Sequence, residues 1–74
     1  EVLKASFYLS ESSQLNIKIF DVNGRVVFEE VNRSYRLGIN EVELNTSNLK
    51  SGIYFIRING ENLNIENKFI VSGN

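Results

Sequence analysis

At 74 residues and 42% hydrophobic content, the chain has material for one small core and a single domain over 1–74; a domain of this size buries only about 60% of the surface its unfolded chain exposes. The absence of Cys and His excludes disulfide staples, Ser-His and Cys-His nucleophile pairs, and thiolate or imidazole zinc sites, so no cofactor is expected. Eight basic and nine acidic residues give net charge −1, and the basic ones are scattered singly and form no run. That argues against a nucleic-acid partner, and no apolar stretch approaches the roughly 20 residues of a membrane span.

The first element is a strand in which Leu3, Ala5, Phe7 and Leu9 alternate with Lys4, Ser6, Tyr8 and Ser10. Ser10 to Ser13 connect it to a second strand with Leu15, Ile17 and Ile19 on one face. Asp21-Val22-Asn23-Gly24 then turns the chain, with Gly24 at the position that needs positive φ. A third strand is predicted from Arg25 to about Val31. Residues 32–40 lack a clear period and are predicted to cross from one sheet to another.

Val42 and Leu44 alternate with Glu41 and Glu43 in a fourth strand with an acidic outer face. Residues 45–52 form a polar connection in which Leu49 is expected to fold inward. Tyr54, Ile56 and Ile58 mark the fifth strand, and Asn59-Gly60 is the strongest two-residue hairpin signal in the chain. The sixth strand runs from about Leu63 to Val71, with Leu63, Ile65, Phe69 and Val71 on one face and Lys68 on the other. No segment holds a helical period. Roughly six or seven short strands separated by turn signals predict an all-β fold, a small antiparallel β-sandwich of immunoglobulin-like type.

Chemistry is hard to assemble from these residues. Glu29 and Glu30 are neighbours on a strand and point to opposite faces. Glu41 and Glu43 share a face, about 6–7 Å apart by strand rise, but that face is an outer surface. Asp21-Val22-Asn23-Gly24 resembles the opening of a calcium loop, yet Arg25 occupies the place of the third oxygen ligand. Asn32-Arg33-Ser34 and Asn45-Thr46-Ser47 match the N-glycosylation pattern, as an Asn- and Ser-rich chain does by chance. Tyr8, Phe20, Phe28, Tyr35 and Phe55 form a candidate aromatic patch; Phe20 and Phe55 lie opposite the core face of their strands and are expected to cover the edge of the core.

A line of residues at consistent spacing carries the functional reading. Ala5 to Ser12 lead into Leu15-Asn16-Ile17-Lys18-Ile19-Phe20, then Asp21-Val22-Asn23-Gly24-Arg25-Val26-Val27, then Gly38-Ile39-Asn40. Leu49-Lys50-Ser51-Gly52-Ile53-Tyr54-Phe55 follows, and Lys68-Phe69-Ile70-Val71 ends the line. In this order the segments resemble the C-terminal sorting domains of the type IX secretion system (the Por secretion system) of Bacteroidetes, over about Ala5 to Val71. The resemblance implies a non-catalytic address label at the end of a secreted protein. It implies as partners an N-terminal passenger domain, the outer-membrane type IX translocon, and a sortase-like peptidase that removes the label or exchanges it for a lipopolysaccharide anchor. Localisation is then secreted or cell-surface after periplasmic transit.

The family opens with a Pro-Asn-Pro element, and this chain has no proline. The expectation is therefore a fragment of a longer protein whose N-terminal strand precedes Glu1. The family's end is also often more basic than Lys68 followed by Ser72-Gly73-Asn74.

Asp21, Gly24, Arg25, Gly52, Tyr54, Lys68 and Ile70 are the candidate recognition residues. Each also has a structural reading: turn geometry for Gly24 and Gly52, a cap and ion pair for Asp21 with Arg25, core packing for Tyr54. The last strand is the candidate edge for recognition by strand addition. The competing class is an immunoglobulin-like or fibronectin-like spacer or carbohydrate-binding module of an extracellular enzyme or adhesin.

Overall fold

The computed structural model describes residues 2–72, so the serine of the chain's last three residues is described and Gly73 and Asn74 are not. Within that span the alternation becomes six antiparallel strands and no helix: β1 Val2–Leu9, β2 Ser13–Asp21, β3 Val26–Tyr35, β4 Gly38–Asn45, β5 Gly52–Gly60 and β6 Asn64–Val71. They form two sheets, β1-β4 and β3-β2-β5-β6. β1 and β4 pair along their whole length, from Val2 opposite Asn45 to Leu9 opposite Gly38. The inward side chains of both sheets meet in one core, so the molecule is a small β-sandwich.

The core follows from the period-2 pattern. Leu15, Ile17 and Ile19 of β2 are fully buried, and Ile17 has no exposed surface at all. Tyr54, Ile56 and Ile58 of β5 lie beside them, with Phe7 and Leu9 from β1, Leu44 from β4 and Val71 from β6. Burying one such aliphatic side chain stabilises by about 1.5–3 kcal/mol. Leu49 packs against this cluster from the β4–β5 connection, as its position suggested.

Two β-bulges shape β3, and one of them corrects the expected crossover. Leu15 pairs with Arg33 but Ile17 pairs with Glu30, so Val31 and Asn32 together face Asn16. Asn32 takes φ 56°, which Asn tolerates better than most residues, and its N–H donates to Asn16 Oδ1 at 2.9 Å. The extra residue switches which parity faces inward: Phe28 and Glu30 before it, Tyr35 after it. That switch erases the period over residues 32–35, which are strand and not crossover. The chain changes sheets over Arg36-Leu37 alone. Asn40 fastens this step, its Nδ2 donating to the carbonyls of Arg36 at 2.8 Å and Gly38 at 3.2 Å.

The β5–β6 hairpin also departs from expectation. Asn59 pairs with Asn64 and the Gly60 N–H donates to Leu63 O at 2.8 Å, so the two loop residues are Glu61 and Asn62. Gly60 instead serves close approach. A Cβ at Gly60 would lie 2.6 Å from Leu15 Cδ2 and 2.8 Å from the Gln14 carbonyl oxygen. Gly60→Ala is therefore expected to cost about 1–3 kcal/mol, the usual penalty of overpacking, although Ala suits a strand at least as well as Gly. Urea unfolding of the variant checks this, and an unchanged midpoint would contradict it.

Candidate recognition surface

The first motif is a turn whose ends are closed by its own aspartate. Asp21 N–H donates to Arg25 O at 2.9 Å and Gly24 N–H to Asp21 O at 3.0 Å, which brings β2 and β3 into register across the loop. Asp21 Oδ1 accepts the N–H groups of Asn23 and Arg25, both at 2.9 Å, and Oδ2 accepts from Arg25 Nε at 3.2 Å. Gly24 sits at φ 83° with open space where a Cβ would go, so backbone conformation and not crowding selects glycine there. The Arg25 backbone N–H, with further help from Asn23 and the Arg25 guanidinium, holds the Asp21 carboxyl below its ordinary value of 3.8.

The second motif packs against the first. Asn45 Oδ1 accepts from Ser47 N–H at 2.9 Å, and Leu49 N–H donates to Thr46 O at 3.0 Å, coiling the connection so that Leu49 points inward. Gly52 opens β5 opposite Val71. Tyr54 is buried with its ring stacked on Phe69 at 5.7 Å, and its hydroxyl donates to Lys50 O at 2.7 Å. Asp21 and Tyr54 are register partners, although they lie far apart in the chain. Asp21, Arg25, Val27, Leu49, Lys50 and Tyr54 line a cleft of about 340 Å³ at this end of the sandwich. The cleft carries the exposed Lys50 and the ionised Asp21 carboxylate paired with Arg25.

The last strand supplies the remaining candidates. β6 is an edge of the four-stranded sheet, and Phe69 and Val71 turn inward while Lys68 and Ile70 turn out. Ile70 is 69% exposed. Register sets the outer face of this sheet in rows across the strands. Asn16, Asn59 and Asn64 form one row. Glu29, Lys18, Arg57 and Glu66 form the next, with Lys18 3.4 Å from Glu29 and Arg57 3.0 Å from Glu66. Val26, Phe20, Phe55 and Lys68 follow, and Ile53 beside Ile70 completes the face. The motif cleft and the Lys68–Ile70 edge are thus two distinct surfaces.

Other sequence candidates fall apart in space. Phe20 and Phe55 do not cover the core edge. They face each other on the outer surface, with the Arg57 guanidinium 5.0 Å from the Phe20 ring. Phe28 and Tyr35 pack against the core, and Tyr8 is exposed on the other sheet, so no single aromatic patch exists. Glu29 pairs with Lys18 and Glu30 with Arg33, on opposite faces. Glu41 and Glu43 are both exposed, and Glu43 lies 3.8 Å from Lys4. Among the described residues no three Asp or Glu side chains gather as a metal site. Sequence reasoning missed Asn40 as the staple of the crossover, although Gly38-Ile39-Asn40 marked the place.

The structural roles make three predictions. Tyr54→Phe removes the hydroxyl bonded to Lys50 O and is expected to cost about 0.5–1.5 kcal/mol. Tyr35 differs. Its hydroxyl is buried, finds no partner among the described residues, and is pushed up in pKa by burial. Tyr35→Phe should leave stability unchanged or raise it, and thermal unfolding of the two variants reads the difference in sign. For Asp21, the depressed native pKa makes its contribution fully present above the unfolded value. That contribution is lost as the pH falls through the native one. Wild type should therefore lose stability on acidification below the ordinary aspartate range. Asp21→Asn should be less stable at neutral pH and lack that step; parallel stability curves for the two would contradict the assignment.

A family model described as the secretion system C-terminal sorting domain matches residues 3–72. No curated protein and no solved structure matches. The matched span takes in both turn motifs, the stapled crossover and the β6 edge, nearly the whole of the two-sheet fold. The chain belongs to the C-terminal sorting domains of the type IX secretion system, which mark proteins for secretion or the cell surface.

Proposed function

We propose that this domain is a non-catalytic sorting signal that directs an N-terminal passenger across the outer membrane by the type IX system. A sortase-like peptidase then removes it or exchanges it for a surface anchor. The observation that carries the reading is the family match over residues 3–72, with the Asp21–Val27 and Leu49–Phe55 motifs in order.

Within this reading Asp21, Gly24, Arg25, Gly52 and Tyr54 act by holding the fold. Asp21 and Arg25 close the β2–β3 turn and Tyr54 anchors the following strand pair. Their loss would abolish sorting by unfolding the domain. Lys68 and Ile70 are different: they project from an edge strand, and Lys68 has no carboxylate within ion-pair distance among the described residues. They are the residues for direct contact, made by strand addition in which backbone hydrogen bonds supply affinity.

The test is a fusion of a signal peptide, a fluorescent protein and this domain, expressed in a type IX-competent Bacteroidetes strain and in a matched translocon-deficient strain. Fluorescence should reach the surface or medium in the competent strain alone. Fluorescence held in the periplasm of both would overturn the sorting reading.

A further inference from the structure

The β6 edge specifies the side-chain chemistry of the strand that pairs with it. Three observations bear on this. First, β6 has a partner on one side alone, β5, so among the described residues the other side presents unpaired backbone N–H and C=O groups. Such a row is a ready template for an extended segment. Second, the inward side of that edge opens on a groove of about 250 Å³ whose apolar lining, Leu3, Ala5 and Phe7 of β1 with Ile65 and Phe69 of β6, is bordered by the polar Lys4, Ser6, Asn67 and Lys68. Asn67, at an inward-parity position between Ile65 and Phe69, is exposed, so the sandwich stands open there. Third, the outer positions of β6 run Glu66, Lys68, Ile70, and each ends a row crossing the sheet. Glu66 is held by Arg57, Lys68 has no counter-charge among the described residues, and Ile70 extends an apolar row that begins at Ile53.

Cross-strand neighbours on one face of a sheet sit about 4.5–5.5 Å apart, and opposite charges or apolar pairs are favoured there. We infer that β6 accepts an amphipathic strand of the type IX machinery whose outward side chains are acidic beside Lys68 and apolar beside Ile70. Its inward side chains are apolar and fill the groove between β6 and β1. This rests on the sorting reading and supplies the partner chemistry that reading leaves open. The β1 edge is the weaker acceptor, because its one central cation, Lys4, is already beside Glu43.

The same secretion fusion tests the inference, with Lys68→Glu and Ile70→Asp as edge variants and Arg36→Glu as a control of equal charge change on the exposed crossover. Lys68→Glu and Ile70→Asp are expected to lower export by about tenfold or more, as like-charge or polar-apolar juxtaposition in an interface does. Lys68→Arg and Arg36→Glu should export normally, and all variants should keep the wild-type melting temperature. Should Lys68→Glu lose thermal stability, Lys68→Gln adds no repulsion within the sheet and carries the comparison.

Wild-type export with equal export of Lys68→Glu and Ile70→Asp overturns the inference and leaves the sorting reading intact. Equal loss in Arg36→Glu also overturns it, because the effect is then one of net charge. A purified domain that dimerises, and that Lys68→Glu makes monomeric, assigns the edge to a second copy and overturns it as well. Failure of the wild type to leave the periplasm sinks the sorting reading itself.

Discussion

The pairing of β2 with β5 is the constraint on which the rest of the domain depends. Leu15, Ile17 and Ile19 lie opposite Gly60, Ile58 and Ile56, and this ladder places the most deeply buried side chains of the molecule at its centre. β3 and β6 attach to its two sides, and the β1-β4 sheet closes over its inner face. Because the chain is short, few other residues are fully removed from water, and stability concentrates where this ladder is continuous. The exposed ion pairs of the outer face, such as Lys18 with Glu29, contribute little by comparison, about 0–1 kcal/mol each.

The ladder also explains why the two motifs of the family sit where they do. Asp21 ends β2 and Tyr54 lies near the start of β5, and they are register partners. A turn that failed to close at Asp21–Arg25 would fray the end of β2, and a displaced Tyr54 would lose both its stacking on Phe69 and its bond to Lys50 O. One end of the ladder is thus clamped from two distant points in the chain. The other end is clamped sterically: Gly60 allows β5 to approach Leu15 and the Gln14 carbonyl.

What the sequence made legible was whatever depends on neighbours along the chain. Period-2 alternation located all six strands and most of the core. The Asp21 cap, the Arg25 pair, the rim hydroxyl of Tyr54 and the outward Lys68 followed from local geometry. Residues 32–35 were illegible as strand because the bulge at Val31-Asn32 reverses the alternation, and a bulge is set by the partner strand. Asn59-Gly60 looked like a hairpin turn, but its glycine answers to Leu15, a contact made only after β5 pairs with β2. The rows of the outer face and the separation of the motif cleft from the β6 edge are properties of register. No single strand contains them.

One small sheet thus has two different physical jobs in the proposed reading: a buried ladder that carries stability, and an edge left open for a partner. Amide hydrogen exchange of the free domain tests that division directly. Amides paired between β2 and β5 should exchange slowest, near the rate of global unfolding, while those on the outer side of β6 exchange fast. Protection on the outer side of β6 equal to that of β2 would show the edge already engaged, and would contradict the claim that it waits for a strand from the translocon.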